Sequence, residues 1–268
     1  NWDYINGSFY GFTVDKIIKI KPVPGGILWQ TYPDLDNTLY IKKLLNFKDN
    51  FDTILASINK DEKIALAINS VKDVQILKQD FNQTVISFIL TAHKNIKAVR
   101  KVVRELSKNF GTKFLVDDLE FYTFPSVEVL SNLNIEDIKK CGAGFRSKYI
   151  IQASKTLSER SNLGHTLMSK TEHDARTELL KFNGIGDKVA DCILTFSLGF
   201  YSVTPIDIWA QRVLFDLYNL DIKNKYSDLR KWYFEYFGEY TAYAGQFLFE
   251  YLRENYKNLT KLSKNSVT

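Results

Sequence analysis

The spacing of apolar residues changes character early in the chain. Up to about residue 75, apolar and polar positions alternate in FYGFTVDKIIKIKPVPGGILWQTY and in TLYIKKLL, and a Pro-Gly-Gly break interrupts the first run. A period of two predicts strands of a half-buried sheet, and the break predicts a turn between strands. The N-terminal part is therefore predicted to hold a small antiparallel β-sheet.

From Gln79 onward the apolar positions recur every three or four residues, which is typical of amphipathic helices. The clearest segments are QDFNQTVISFILTA, NIKAVRKVVRELSKNFG, NIEDIKKCG, RSKYIIQASKTLSER and DARTELLKF. We predict an α+β fold, with an antiparallel β/α domain over residues 1–78 and a mostly α-helical body over residues 79–268.

Composition supports a globular chain. Its 268 residues are 45% hydrophobic and 14% aromatic, enough to bury one large core or two smaller ones. The sequence contains no apolar run of about 18 residues, and its start, NWDYINGSFYGF, lacks the basic and apolar regions of a secretory signal. We expect a soluble, intracellular protein.

Cysteine and histidine usage limits the chemistry. Cys141 and Cys192 are the only cysteines, and the three histidines do not complete a zinc pattern with them. This excludes a structural zinc or an iron–sulfur cluster, and we expect no metal and no cofactor at the active site. The net charge of +5 and the pI of about 8.9 suit a polyanionic partner.

A Gly-x-Gly turn joins two apolar helical segments in TELLKFNGIGDKVADCILTFSLGF. This pattern predicts a helix-hairpin-helix over about residues 175–200. Gly184 and Gly186 allow a tight turn and a close backbone approach, so that amides at the start of the second helix face a phosphate, directly or through a bound cation. The alternative is that these glycines only pack the two helices.

Two charged residues are predicted at helix N-termini. Lys188 lies in the first turn of the second hairpin helix, and Asp207 precedes the apolar-periodic helix of TPIDIWAQRVL. One helix and a return loop separate them, so both can point into one cleft. The alternatives are a solvated lysine for Lys188 and a simple helix cap for Asp207.

Together, GIGDKVADC and TPIDIWAQRV resemble the signature of the helix-hairpin-helix GPD superfamily of DNA glycosylases, and more narrowly of its 8-oxoguanine branch. QDFNQTVISFILTAHKNI, FPSVEVLSNLNIEDIKKCGAGFRSKYI and YAGQFLFEYLR are also similar to that branch. The resemblance covers about residues 75–255, and over the N-terminal third it is architectural.

The resemblance implies a base-excision enzyme that acts on double-stranded DNA containing oxidised guanine and works as a monomer. Lys188 would be the nucleophile: a helix N-terminus and burial both favour the neutral amine, which attacks the sugar C1′ and forms a Schiff base that leads to β-elimination. Asp207 would remain a carboxylate and stabilise positive charge on the sugar.

The resemblance also implies a base pocket. Cys192 would contact one face of the flipped base and Phe249 the other, with a buried small residue and a core phenylalanine as the alternatives. Gly245 stands where the family usually has a base-binding glutamine. A carbonyl of Gly25 or Gly26 would accept the N7 hydrogen of 8-oxoguanine, unless both are plain turn glycines.

Contacts with the duplex are implied in two segments. The corner that contains His93 and Asn95 would face the DNA, with His93 at the position of an asparagine that fills the gap left by the flipped nucleotide. Phe145 would act as a wedge, and Arg146 would reach the estranged base or, alternatively, a phosphate. Ala98 replaces an arginine found in many members, so we expect weak discrimination among opposite bases.

Two other functions stay open at this level. The first is a monofunctional alkylpurine glycosylase of the same superfamily, which would use the aspartate without the lysine. The second is a helix-hairpin-helix module that binds DNA without catalysis. That module would explain Gly184 and Gly186, but not the pairing of Lys188 with Asp207.

Overall fold

The computed structural model describes residues 2–34, 37–71, 74–92, 94–220 and 225–265. The chain divides into two compact units. The first comprises Asn1–Leu44 and Gln79–Gly186, and the second comprises Leu45–Lys78 and Asp187–Thr268. Residues 1–78, predicted as one domain, thus contribute to both units.

The strands are β1 (Trp2–Ile5), β2 (Ser8–Phe12), β3 (Ile17–Val23), β4 (Gly26–Tyr32), β5 (Lys113–Val116) and β6 (Leu119–Tyr122). The α-helices are α1 (Thr38–Leu44), α2 (Phe51–Ile58), α3 (Glu62–Ser70), α4 (Phe81–Ile89), α5 (Ile96–Phe110), α6 (Val127–Ser131), α7 (Ile135–Lys140), α8 (Ser147–Glu159), α9 (Leu163–Met168), α10 (Glu172–Leu179), α11 (Asp187–Ile193), α12 (Ile208–Arg212), α13 (Tyr226–Phe237) and α14 (Thr241–Asn265). Turns of 3-10 helix cover Gly144–Arg146 and Gly238–Tyr240, and π-helical turns cover Leu194–Leu198 and Val213–Leu217.

The predicted N-terminal sheet is present in the first unit. Its strands follow the order β1-β2-β3-β4, and every neighbouring pair is antiparallel. Trp2 pairs with Gly11, whose missing side chain leaves room for the indole: a Cβ there would come within 2.8 Å of the ring. The α+β class is confirmed.

Two predictions within the first unit need correction. TLYIKKLL is not a strand, because Thr38–Leu44 forms helix α1. Its buried residues, Ile41 and Leu44, are three positions apart, and lysines in its last turn suit the negative end of a helix. The helical body also contains an unpredicted hairpin, β5–β6, whose turn uses left-handed aspartates at 117 and 118.

The five clearest predicted helices are all present, as α4, α5, α7, α8 and α10. Polar residues fix several of their starts. The side chains of Asp80, Asn95 and Thr171 each accept a hydrogen bond from a backbone amide in the first turn of α4, α5 and α10. Local capping and the apolar period thus agree on where these helices lie.

The second unit is helical in its described residues and contains α2, α3 and α11–α14, the two π-helical turns and the 3-10 turn Gly238–Tyr240. Its core is built around large aromatic side chains that are fully buried: Tyr233, Phe237, Tyr243 and Phe247. The core also takes up Ile206 and Val213 on either side of α12, so the segment that carries Asp207 is anchored at both ends.

Candidate active site

The predicted hairpin appears along the chain as α10, a turn over residues 180–186, and α11. Gly184 has a φ of +89°, and a Cβ at this position would lie 2.9 Å from the Tyr149 ring, so the turn requires glycine there. Gly186 has no such constraint, because a Cβ would meet no atom within 4 Å. The boundary between the two units falls directly after Gly186.

Lys188 and Cys192 lie one turn apart on α11. The Lys188 side chain is half-buried, and Cys192 is buried. Burial raises the pKa of the Cys192 thiol to about 12, against a lowering effect of Lys188. The thiol is therefore an uncharged neighbour of the amine.

Asp207 is the N-cap of α12, as predicted. Its Oδ1 accepts hydrogen bonds from the amides of Trp209 and Ala210, each at 2.9 Å. The buried Tyr233 hydroxyl donates to the carbonyl of Ala210 at 3.2 Å, which ties the first turn of α12 to α13. Capping and catalysis are compatible here, because the cap uses a single oxygen of the carboxylate.

Cys192 is influenced by both charged residues. The positive charge of Lys188 lowers the pKa of its thiol, and the negative charge of Asp207 raises it. The amine and the carboxylate therefore belong to one electrostatic environment within the second unit. A nucleophile and a stabilising anion in one site are what attack on a sugar carbon requires.

Phe249 is half-buried on α14, and its ring is held by two neighbours. The Trp209 ring meets it edge to face, with centroids 6.2 Å apart at 87°, and the Arg253 guanidinium lies 5.3 Å from its centre. Arg212 lies 4.8 Å from the Trp209 ring in turn. That Phe249 stacks on a flipped base stays a prediction.

Gly245 on α14 is in close contact with Thr204, three residues before Asp207. A Cβ at Gly245 would lie 2.2 Å from Thr204 Oγ1 and 3.1 Å from Thr204 Cβ. The Thr204 side chain therefore occupies the space into which a side chain at 245 would project. The absence of the family's glutamine at this position is matched by the presence of a buried threonine.

Sequence reasoning missed a polar cluster behind the lysine helix. Asp191 is fully buried, and its Oδ2 accepts hydrogen bonds from Tyr226 Oη at 2.7 Å and Arg230 Nε at 3.0 Å. Tyr226 Oη accepts the amide of Ile206 at 3.2 Å. The sequence did contain one indication of this cluster, because Asp191 is a charged residue inside the apolar run VADCILTF. A carboxylate that is buried in such a run needs hydrogen-bonding or charged partners.

The predicted duplex contacts near α8 belong to the first unit. Phe145 is 55% exposed, whereas Arg146 is only 5% exposed. The Arg146 guanidinium carbon lies 4.3 Å from the Phe145 ring centre, and its Nε, which is buried, has no hydrogen-bond partner. Phe145 is available as a wedge, while Arg146 is covered in this structure, and contact of either with DNA stays a prediction.

The remaining predicted residues are also in the first unit. Asn95 is exposed and caps α5 by accepting the Ala98 amide at 2.8 Å, and His93 lies outside the described residues. Gly25 has a φ of +79° in the turn between β3 and β4, and Gly26 opens β4 opposite Val23. The structure accounts for Gly25 by the turn, and a role in binding N7 stays a prediction.

Among the described residues, no helix combines the length and apolar character needed to cross a bilayer. In the same residues no group of three or more His, Cys, Asp and Glu side chains is placed to hold a metal ion. Binding of a cation by the hairpin backbone stays a prediction.

A family profile described as HhH-GPD superfamily base excision DNA repair protein matches residues 86–235. The chain belongs to this superfamily. The match includes the hairpin, Lys188 and Asp207, so the residues that carried the resemblance lie inside it.

The relatives agree with the narrower resemblance to the 8-oxoguanine branch. The N-glycosylase/DNA lyase of Saccharomyces cerevisiae is 28% identical over 207 residues, covering 72% of this chain and 54% of the relative. The chain thus spans about half the length of that protein. A probable N-glycosylase/DNA lyase of Methanothermobacter thermautotrophicus is 25% identical over 287 residues, covering 95% of this chain and 89% of its own. The crystal structure of Clostridium acetobutylicum 8-oxoguanine glycosylase/lyase with DNA superimposes with a TM-score of 0.87 at 26% identity, covering 95% of this chain and 88% of that one.

Proposed function

We propose that the protein is a bifunctional DNA glycosylase and abasic-site lyase that removes 8-oxoguanine from duplex DNA inside the cell. The observation that carries this function is that Lys188 and Asp207 lie in one compact unit, at the starts of α11 and α12, and both influence the pKa of the buried Cys192 thiol. An alkylpurine glycosylase that works through the aspartate alone has no need of that lysine. The names of the relatives support the same choice.

In the reaction, the neutral Lys188 amine attacks C1′ of the flipped nucleotide, and the C1′–N9 bond breaks as the base leaves with a proton. The Asp207 carboxylate stabilises the positive charge that develops on the sugar. The sugar ring then opens to a Schiff base on Lys188. This imine makes loss of a C2′ proton easier, and the 3′ phosphate leaves by β-elimination.

Duplex binding is assigned to the first unit and the hairpin. Flipping a nucleotide costs a few kcal/mol, which contacts in the pocket must offset. The exposed Phe145 ring is suited to fill the stack, and amides near Gly186 are suited to a phosphate. Since phosphate contacts release counterions, affinity should fall with rising salt.

The test is single-turnover cleavage of duplexes that contain 8-oxoguanine, an alkyladenine or an abasic site, each opposite all four bases. We expect base release and strand nicking at 8-oxoguanine, with weak dependence on the opposite base. Borohydride should trap a covalent adduct with the protein and with a Lys231→Gln control, which changes an exposed lysine that pairs with Glu235. Lys188→Gln should bind lesion DNA and give no adduct.

Other results would assign another function. Release of alkyladenine without nicking would indicate a monofunctional alkylpurine glycosylase. Equal binding of lesion and plain duplexes without product would indicate a DNA-binding module. An adduct that persists in Lys188→Gln would remove this lysine from the mechanism.

A further inference from the structure

The lysine and the aspartate of the proposed site are carried by different segments, so their separation has to be fixed by something between them. Lys188 is on α11, and Asp207 begins α12 after a π-helical turn and a loop. The Asp191 network, which we define as Asp191, Tyr226 and Arg230, connects these two segments through α13.

One end of the Asp191 network is on the lysine helix. Asp191 follows Lys188 by less than one turn of α11, and its carboxylate is fully buried. Two donors one turn apart on α13 converge on the same oxygen, with the Tyr226 hydroxyl at 2.7 Å and the Arg230 Nε at 3.0 Å. A buried carboxylate with two donors, one of them charged, is held firmly in place.

The other end of the network is on the aspartate segment. Tyr226 Oη accepts the amide of Ile206, whose own side chain is buried in the core directly before Asp207. The Tyr226 hydroxyl thus joins the two segments, because it donates to Asp191 on α11 and accepts from the Ile206 amide just before Asp207. Burial and the negative charge of Asp191 raise the pKa of Tyr226, so this hydroxyl keeps the proton that it donates.

We propose that Asp191, Tyr226 and Arg230 are positioning residues that set the distance between the Lys188 amine and the Asp207 carboxylate. The proposal rests on the proposed function, because it gives a role to that distance. A displacement of about 1 Å of groups that must meet a reacting atom can lower a rate by about 100-fold. The network does not touch the substrate and has no part in the chemistry itself.

The chain offers a matched control on the same helix. Tyr236 of α13 also donates its hydroxyl to an aspartate, the half-buried Asp61, at 2.6 Å, and Asp61 caps α3. That hydrogen bond has the same chemistry as the one from Tyr226 to Asp191, but it joins neither Lys188 nor Asp207. Tyr226→Phe and Tyr236→Phe therefore separate positioning from general stability.

For wild type and both variants, the experiment measures base release from an 8-oxoguanine duplex, borohydride trapping on a preformed abasic duplex, affinity for a tetrahydrofuran abasic analogue, and the thermal midpoint. We expect Tyr226→Phe to slow both chemical steps by about 10- to 100-fold with unchanged affinity. We expect Tyr236→Phe to lower the midpoint similarly and to react as the wild type does. Equal rates for the two variants would overturn the proposal.

A second pair keeps the test decisive if Tyr226→Phe unfolds at the assay temperature. Arg230→Lys can still donate to Asp191, whereas Arg230→Met cannot, so the lysine variant should retain more of the chemical rate at equal affinity. Equal rates for this pair would contradict the network. Failure of the proposed function is distinguishable, because the wild type itself would then release no base and form no adduct.

Discussion

Lys188 acts on the thiol of Cys192, one turn further along α11, and lowers the pKa of that thiol against the effect of burial. Because burial raises the pKa of Cys192 to about 12, the sulfur is a neutral thiol at physiological pH and places no negative charge beside the Lys188 amine.

This state of Cys192 predicts its reactivity. Alkylation requires the thiolate, and burial raises the pKa of both Cys192 and Cys141. At pH 8 we expect iodoacetamide to modify neither cysteine of the folded protein and both after unfolding, as measured by intact mass. Rapid labelling of Cys192 in the folded protein would contradict the assignment of a neutral thiol.

The same shift predicts a dependence of stability on pH. An unfolded cysteine has a pKa of about 8.5, and that of folded Cys192 is about 12, so the folded state holds this proton more tightly. The contribution of this proton to the free energy of unfolding is complete at pH values below the pKa of the unfolded cysteine. It is lost as the pH rises toward the pKa of the folded cysteine. Urea unfolding at pH 8 and pH 10 should show a smaller alkaline loss in Cys192→Ala than in the wild type.

Asp207 combines a helix cap with a proposed catalytic charge, and substitutions can separate them. Asparagine can still accept the Trp209 and Ala210 amides through its side-chain oxygen, so Asp207→Asn should unfold as the wild type does and lose most of its turnover. Asp207→Ala should lose turnover and also about 0.5–2 kcal/mol of stability. Substantial turnover in Asp207→Asn would show that the charge is not needed.

The two hairpin glycines are predicted to respond differently to alanine. Gly184→Ala meets both a left-handed φ and the Tyr149 ring, so it should lower the free energy of unfolding by about 1–3 kcal/mol. Gly186→Ala has open space and should leave that free energy unchanged. Any loss of duplex affinity in Gly186→Ala, measured by titration at fixed salt, then reports a close approach of DNA to this backbone.

The sequence was most informative where local signals agreed. The apolar period and capping residues such as Asn95 predicted the helices of the body, and a Gly-x-Gly turn followed by Lys188 predicted the hairpin. Thr38–Leu44 was misread because four apolar residues around two lysines suit either a short strand or about two turns of helix. In so short a segment, the packing of Ile41 and Leu44 decides between helix and strand. The spacing of apolar residues along the sequence does not reveal that packing.

The candidate site was only partly predictable for a related reason. Lys188 is conspicuous as a positive charge at a helix start, and Asp207 is recognisable as a helix cap, and both influence the pKa of Cys192 in the fold. The partners of Asp191 come from α13, more than thirty residues further along, and no local pattern connects them. The burial of Arg146 likewise depends on tertiary packing. Its neighbours in the sequence are small or polar apart from Phe145, so they do not predict that the arginine is buried.

The contact between Gly245 and Thr204 predicts strong coupling between the two positions. Alanine in a helix is favoured over glycine by about 1 kcal/mol, but a Cβ at 245 would lie 2.2 Å from Thr204 Oγ1. Gly245→Ala alone should therefore destabilise the protein by about 1–3 kcal/mol. In a Thr204→Ala background the nearest atom is the Cβ of residue 204 at 3.1 Å, so the same change should cost clearly less stability than it does in the wild type.

A double-mutant cycle by urea unfolding measures this coupling, which we expect at about 0.5–3 kcal/mol. The cycle also determines whether the family's glutamine can be restored here. If Thr204 is what excludes a side chain at 245, Gly245→Gln should fold well only together with Thr204→Ala, and that pair can be assayed for base preference. If the stability effects of Gly245→Ala and Thr204→Ala were additive, Thr204 would be shown to move aside freely. The presence of glycine at position 245 would then have to be explained by the substrate and not by packing.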